Sequence, residues 1–172
     1  MELDELVSQA LDDACTSLVP APGSSVCAAT PRDAELRLAS IIGFSGDRLR
    51  GTLGIAASAA GIRRIAAHFG IDDRNERGVA DSMGELSNLV LGHVKRSFSR
   101  RDVLITISTP LVVRGVAIEI CGREDGNWYE RSVSCDDDQV RVWLDLSVDE
   151  GFAVGEEQCS DGMVSEGETL LF

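Results

Sequence analysis

Histidine is nearly absent from this chain: 172 residues contain only His68 and His93, and neither has a neighbour at a metal-ligand spacing. The five cysteines, Cys15, Cys27, Cys121, Cys135 and Cys159, stand singly, with no C-x-x-C pair. An odd, scattered set argues against a disulfide framework and against a zinc site, and reads mostly as small buried hydrophobes. Zinc-hydrolase and cysteine-protease chemistry are therefore unsupported. Long apolar runs are missing too, since no stretch of about 18 apolar residues escapes charge, so no membrane span is expected. The opening MELDELVSQALDDAC is acidic and amphipathic, unlike a signal or transit peptide, which makes the cytoplasm the default location. Basic charge is scarce: 16 Lys and Arg against 29 Asp and Glu leave a net charge of −13. Without a basic stripe, a nucleic-acid partner is not expected. No phosphate loop, dinucleotide-binding glycine fingerprint or G-x-S-x-G elbow occurs.

What is present suits one domain, with 44% hydrophobic residues spread over the chain. Residues 2–18 carry Leu3, Leu6, Val7, Ala10, Leu11 and Ala14 at helical period, and the Pro/Gly/Ser stretch 19–25 ends that helix. Strands are expected over 34–43 and 50–58, joined by a turn at Ser45-Gly46-Asp47. From Ala59 the period becomes helical, and Gly70 caps that helix. After a polar connector at 71–77, a long helix runs from about 79 to 99, with Lys95, Arg96, Arg100 and Arg101 complementing the dipole at its end. Strand-like stretches follow at 103–108, 113–121, 129–135 and 140–148. The fold class is α+β, with helices packed on one face of a largely antiparallel sheet. The domain is taken as 1–148. Residues 149–172 hold seven acids and no Lys or Arg, and read as a solvated acidic tail.

The long helix carries the functional signal, D-S-M-G-E-L-S-N-L-V-L-G from Asp81 to Gly92. At about 100° per residue, Val79, Met83, Leu86, Val90 and Val94 form one apolar stripe. Asp81, Glu85, Asn88 and Gly92 fall almost opposite it, so Glu85 and Asn88 project together, one turn apart. A plain solvated face would show polar residues there as well. Asn, however, is a poor residue inside a helix, and Gly costs about 1 kcal/mol relative to Ala. Both choices favour a face that another surface approaches.

This motif, followed by Thr109-Pro110-Leu111-Val112-Val113-Arg114-Gly115, resembles the CheC/CheX/FliY family of chemotaxis phosphatases. The family pattern is Asp or Ser, three residues, Glu, two residues, Asn, and a Pro about two dozen positions on. Asp81, Glu85 and Asn88 fit it, and Pro110 follows after 21 intervening residues, about one short. The N-terminal helix lacks a Glu-x-x-Asn, so the resemblance is to single-site, CheX-like members.

The resemblance implies hydrolysis of the aspartyl phosphate on a CheY-type receiver domain. Asn88 would orient water and Glu85 would pair with the receiver's active-site Lys. Asp81, Gly84 and Gly92 would lie toward the partner, with Asp81 best placed as a cap at the helix start. Pro110 would shape the strand end. No cofactor or metal is expected in this chain, and Mg²⁺ is expected on the receiver. A homodimer formed through the sheet is implied too, with strand 140–148 as its edge. Two other readings remain open: a receiver-binding or flagellar-switch-like module without catalysis, and a sheet-mediated dimerisation domain.

Overall fold

The computed structural model describes residues 2–18, 25–27, 36–68, 70, 76–122, 127–135 and 138–156. The chain folds as α1 (Leu3–Ser17), β1 (Ser25–Cys27), β2 (Leu38–Ser45), β3 (Leu49–Ala57), α2 (Ala59–His68), α3 (Glu76–Ser99), β4 (Thr106–Ile107), β5 (Leu111–Arg114), β6 (Asn127–Cys135) and β7 (Asp138–Val148). The class is α+β as expected, with β1 a further strand that the sequence pattern did not announce. Ser58 starts α2 by accepting the Gly61 N–H on its hydroxyl at 3.0 Å, as an N-cap does. Gly70 closes α2 at φ +68°, its N–H bonded to the Ala67 carbonyl. No helix among the described residues is long and apolar enough to cross a membrane.

All strand pairs are antiparallel, in the order β1-β6-β7-β3-β2-β4, with β5 also on β2. This corrects the expectation that residues 140–148 form a dimer edge. β7 is interior, paired along its length with β3 on one side and β6 on the other. Its alternation reports two unlike faces. Val140, Val142, Leu144 and Leu146 enter the main core with α1, α2 and α3. Trp143 points to the opposite face, where Leu36, Ala39, Ala56, Ile118, Ile120 and Trp128 surround it. Gly54 lies opposite Trp143 in the ladder, and a Cβ there would come within 1.9 Å of the indole, so only glycine lets the ring lie across β3.

Of the strand expected over 113–121, residues 115–121 carry no ladder. They cross the back of the sheet instead, anchored by the Gly115 N–H on the Arg37 carbonyl and the Ile118 N–H on the Leu36 carbonyl. Helix α1 is held to β6 by polar contacts. Arg131 binds the Asp12 carboxylate through Nε at 2.5 Å and the Ser8 hydroxyl at 2.9 Å, and the Tyr129 hydroxyl donates to Asp4. Beyond β7, Phe152 and Val154 pack on the main core and the Gly155 N–H reaches the Arg101 carbonyl. The stretch expected as a tail therefore begins by lying against the domain, and residues 157–172 lie outside the described residues. The thiols divide: Cys15 is buried, whereas Cys27 and Cys121 are exposed.

Candidate active site on helix α3

Helix α3 is buried along most of its circumference. Val79, Met83, Leu86, Val90, Leu91, Val94 and Phe98 all enter the core. At about 1.5–3 kcal/mol each, that burial is worth on the order of 10 kcal/mol. It outweighs the roughly 1 kcal/mol cost of each of Gly78, Gly84 and Gly92. Ser82 and Ser87 are buried as well, and each returns its hydroxyl to a carbonyl one turn back, Gly78 at 2.7 Å and Met83 at 3.0 Å. Between Val79 and Arg96 the exposed residues are Asp81, Glu85, Asn88, Lys95 and Arg96. The motif is thus the narrow solvent strip of an otherwise embedded rod. Glu85 and Asn88 stand about 4.5 Å apart along its axis. Among the described residues neither side chain makes a hydrogen bond or an ion pair, nor does Asp81.

Two placements differ from expectation, those of Asp81 and Gly84. Asp81 does not cap the helix: α3 begins at Glu76, five residues earlier, which puts Asp81 in its second turn on the exposed strip. The polar residues 76–78 continue the helix because the apolar turns beyond them are already docked. Gly84, expected toward the partner, is buried, and a Cβ there would meet Pro110 Cγ at 3.6 Å and Val112 Cγ2 at 4.0 Å. Gly92 is half-buried, and the nearest group to its Cβ position is Arg96 Nη1 at 3.8 Å.

Pro110 reaches Gly84 through a change of register. Ile107 pairs with Phe44 and Leu111 with Ile41, so three residues, 108–110, face two, 42–43, on β2. The one-residue bulge re-phases the strand. Pro110 and Val112 turn toward α3, while Leu111 and Val113 turn to the outer face, where they are exposed. Pro110 also lacks the N–H that a continuous ladder would need. Ser108 fills the gap, accepting the Gly43 N–H on its hydroxyl and donating its own N–H to the Gly43 carbonyl.

His93 is partly covered, and desolvation followed by the nearby Arg96 cation holds its pKa below the ordinary imidazole value. Among the described residues no group of three His, Cys, Asp or Glu side chains is placed to hold a metal ion. Arg96 also lies on the exposed strip, although in the sequence Lys95, Arg96, Arg100 and Arg101 read together as dipole-complementing charge.

The fold has solved relatives at low identity. The chemotaxis protein CheX of Vibrio vulnificus matches with a TM-score of 0.68 at 20% identity, covering 86% of this chain and 100% of that one. A CheC-like superfamily protein from Shewanella sp. PV-4 matches at 0.64 and 21%, covering 86% and 99%. A chain of the CheX–CheY–BeF3–Mg²⁺ complex from Borrelia burgdorferi matches at 0.65 and 14%, covering 81% and 97%. No curated protein sequence matches. The family model for the chemotaxis phosphatase CheX matches residues 38–129, from the first long strand through the motif helix to β6. Because that match spans more than half of the sequence and contains the whole Asp81–Pro110 arrangement, the chain belongs to the CheX family.

Proposed function

We propose that this protein hydrolyses the aspartyl phosphate of a CheY-type receiver domain, with Asn88 and Glu85 as the two working residues. The observation that carries this reading is the strip itself. An embedded helix presents a carboxylate and an amide one turn apart, both without a partner among the described residues, in a chain of the CheX family. A solved relative from Borrelia burgdorferi is recorded in complex with CheY, BeF3 and Mg²⁺, which supports a receiver of that type as the partner.

The chemistry asks little of the phosphatase. An acyl phosphate is already activated, and the receiver supplies the Mg²⁺ that neutralises charge on the phosphoryl oxygens. Water attacks phosphorus, the bond from phosphorus to the aspartyl oxygen breaks, the electron pair stays with the receiver's aspartate carboxylate, and inorganic phosphate is released with the water's proton. The Asn88 amide, held by the buried flanks of α3, orders the water in line with the breaking bond. Glu85 pairs with the receiver's active-site lysine and sets register. Asp81 lies further along the strip, where it borders the partner and does no chemistry.

The homodimer is also proposed, now without β7. Ile41, Leu111 and Val113 are exposed on the outer face of the β2–β5 edge, next to an exposed Val116. A second copy covering this patch would remove it from water. Light scattering that gives a monomer at high concentration rejects it.

The test of function is decay of a phosphorylated receiver encoded near this chain, in Mg²⁺, with wild type, Glu85→Ala and Asn88→Ala. Losing one positioned polar group costs about 10²–10³ in rate. Asn88→Ala is expected to lose kcat and retain binding, and Glu85→Ala to lose mainly affinity. Near-full activity in Asn88→Ala rejects the mechanism. Binding without accelerated decay would make the protein a non-catalytic receiver-binding module.

A further inference from the structure

The strip that holds Glu85 and Asn88 continues past Gly92 to Lys95 and Arg96, the latter about 12 Å beyond Asn88 along the helix axis. Long helical side chains lean toward the N-terminus, and Arg96 does so fully. Its Nη1 lies 3.8 Å from the Cβ position of Gly92, so the guanidinium folds back a whole turn over the glycine, toward Asn88. Arg96 is exposed, and among the described residues its guanidinium makes no hydrogen bond or ion pair. Other arginines are committed within the fold: Arg131 to Asp12, Arg141 to Glu130, Arg64 to Asp138. The strip is therefore bipolar, with carboxylates at one end, a free guanidinium at the other and the Asn88 amide between.

We propose that Arg96 is a second anchor for the receiver, binding an anionic oxygen of the phosphorylated site while Glu85 binds its lysine. The inference rests on the proposed function and names how that same site selects and orients its partner. One ion pair leaves a docked domain free to pivot, whereas two of opposite sign fix its direction along the helix. A reversed receiver would meet like charge at both ends. The arrangement also offsets the repulsion that a chain of net charge −13 offers to an acidic receiver pocket. The anionic oxygen belongs to the phosphoryl group or to a carboxylate beside it, and guanidinium chemistry suits both.

The experiment compares full-length wild type, Arg96→Ala, Arg96→Glu and Arg96→Lys in receiver dephosphorylation at varied receiver concentration and salt. Binding to unphosphorylated and beryllofluoride-loaded receiver is measured in parallel. Arg50→Ala, on the sheet face away from α3, is the charge control. Arg96→Ala is expected to raise KM about tenfold with kcat within about threefold, and Arg96→Glu to do more. Arg96→Lys is expected to restore most of the loss. The defect should shrink as salt shortens the Debye length from about 10 Å at 0.1 M to 3 Å at 1 M. An affinity loss confined to the beryllofluoride form assigns the contact to the phosphoryl group, and an equal loss with both forms assigns it to a carboxylate. Wild-type KM and affinity in both Arg96→Ala and Arg96→Glu overturn the proposal, as does a loss that salt leaves unchanged. Wild type that binds the receiver but does not hydrolyse defeats the phosphatase reading, and the binding series still decides on Arg96. Wild type that binds neither form defeats both.

Discussion

Replacing Gly92 with alanine separates what α3 needs for folding from what the strip offers a partner. A Cβ at this position would have only the Arg96 guanidinium near it, at 3.8 Å, an ordinary van der Waals distance. Nothing described in the fold therefore requires glycine here, and its helical cost of about 0.8–1.0 kcal/mol should be recovered. For a domain of this size that corresponds to a melting temperature about 2–4 °C higher. The same methyl sits between Asn88 and Arg96, where a docked receiver would come closest. Displacing a reacting group by about 1 Å costs on the order of 10²-fold, so kcat/KM should fall by about ten- to a hundredfold. Thermal unfolding followed by circular dichroism reads the first effect, and receiver dephosphorylation the second. Gly84→Ala is the matched comparison, because its methyl would meet Pro110 inside the fold and should stabilise without loss of turnover. A melting temperature that stays level or falls for Gly92→Ala shows that this chain itself needs the glycine. A rise with unchanged kcat/KM shows that no partner approaches there, and defeats the docking argument for this turn.

Other consequences are open to measurement. Gly54→Ala forces a Cβ to within 1.9 Å of the Trp143 ring and should cost about 1–3 kcal/mol or more, seen as a lower urea midpoint. An unchanged midpoint would mean that the indole does not cross β3. Arg131→Ala removes the bonds from α1 to β6 through Asp12 and Ser8, and should cost about 1–3 kcal/mol in equilibrium unfolding. Wild-type stability would assign the anchoring of α1 to its apolar face alone. Burial pushes the Cys15 thiol up to about 12, so at pH 8 an alkylating reagent should modify the exposed Cys27 and Cys121 and leave Cys15 untouched until the protein unfolds. Rapid native labelling of Cys15 in peptide maps would contradict that burial. His93 has its folded pKa below the ordinary 6.5, so the unfolded chain binds its proton first. Stability from this group is present above 6.5 and is lost as the pH falls toward the folded value. His93→Gln should flatten that part of the stability–pH curve, and an unaltered curve would remove His93 as the cause.

The parts of the fold that were legible in the sequence are those fixed by local periodicity. Val79, Met83, Leu86, Val90 and Val94 fell on one stripe by counting alone, and all five are buried. The phase of Glu85 and Asn88 followed from them. What escaped was set by contacts distant in sequence. Alternation in residues 140–148 announces two different faces but cannot say how many strands flank them, and β7 proved interior because β3 and β6 both return to it. The bulge at 108–110 was visible only as Pro110, since register exists only when β2 is alongside. The sequence hides the start of α3 because Glu76, Arg77 and Gly78 carry no apolar signal.

The candidate site was legible for a different reason. A solvent strip on a packed helix can be filled by Lys, Glu or Ala, each a better helix former than Asn or Gly. Asn88 and Gly92 occupy that strip at a local cost, and neither recovers it within the described structure. Among the described residues the Asn88 amide has no partner, and the space above Gly92 is closed only by Arg96, which has none either. Ser82 and Ser87, by contrast, are weak helix formers whose hydroxyls are satisfied within the chain, so they point to nothing outside it. That difference argues for a partner more strongly than polarity does, because every surface helix is polar. It also ties Arg96 to the pair. A guanidinium folded across an open glycine, a turn beyond an unpartnered amide, gives the strip its second charged end, and two opposite ends are what a directional dock requires.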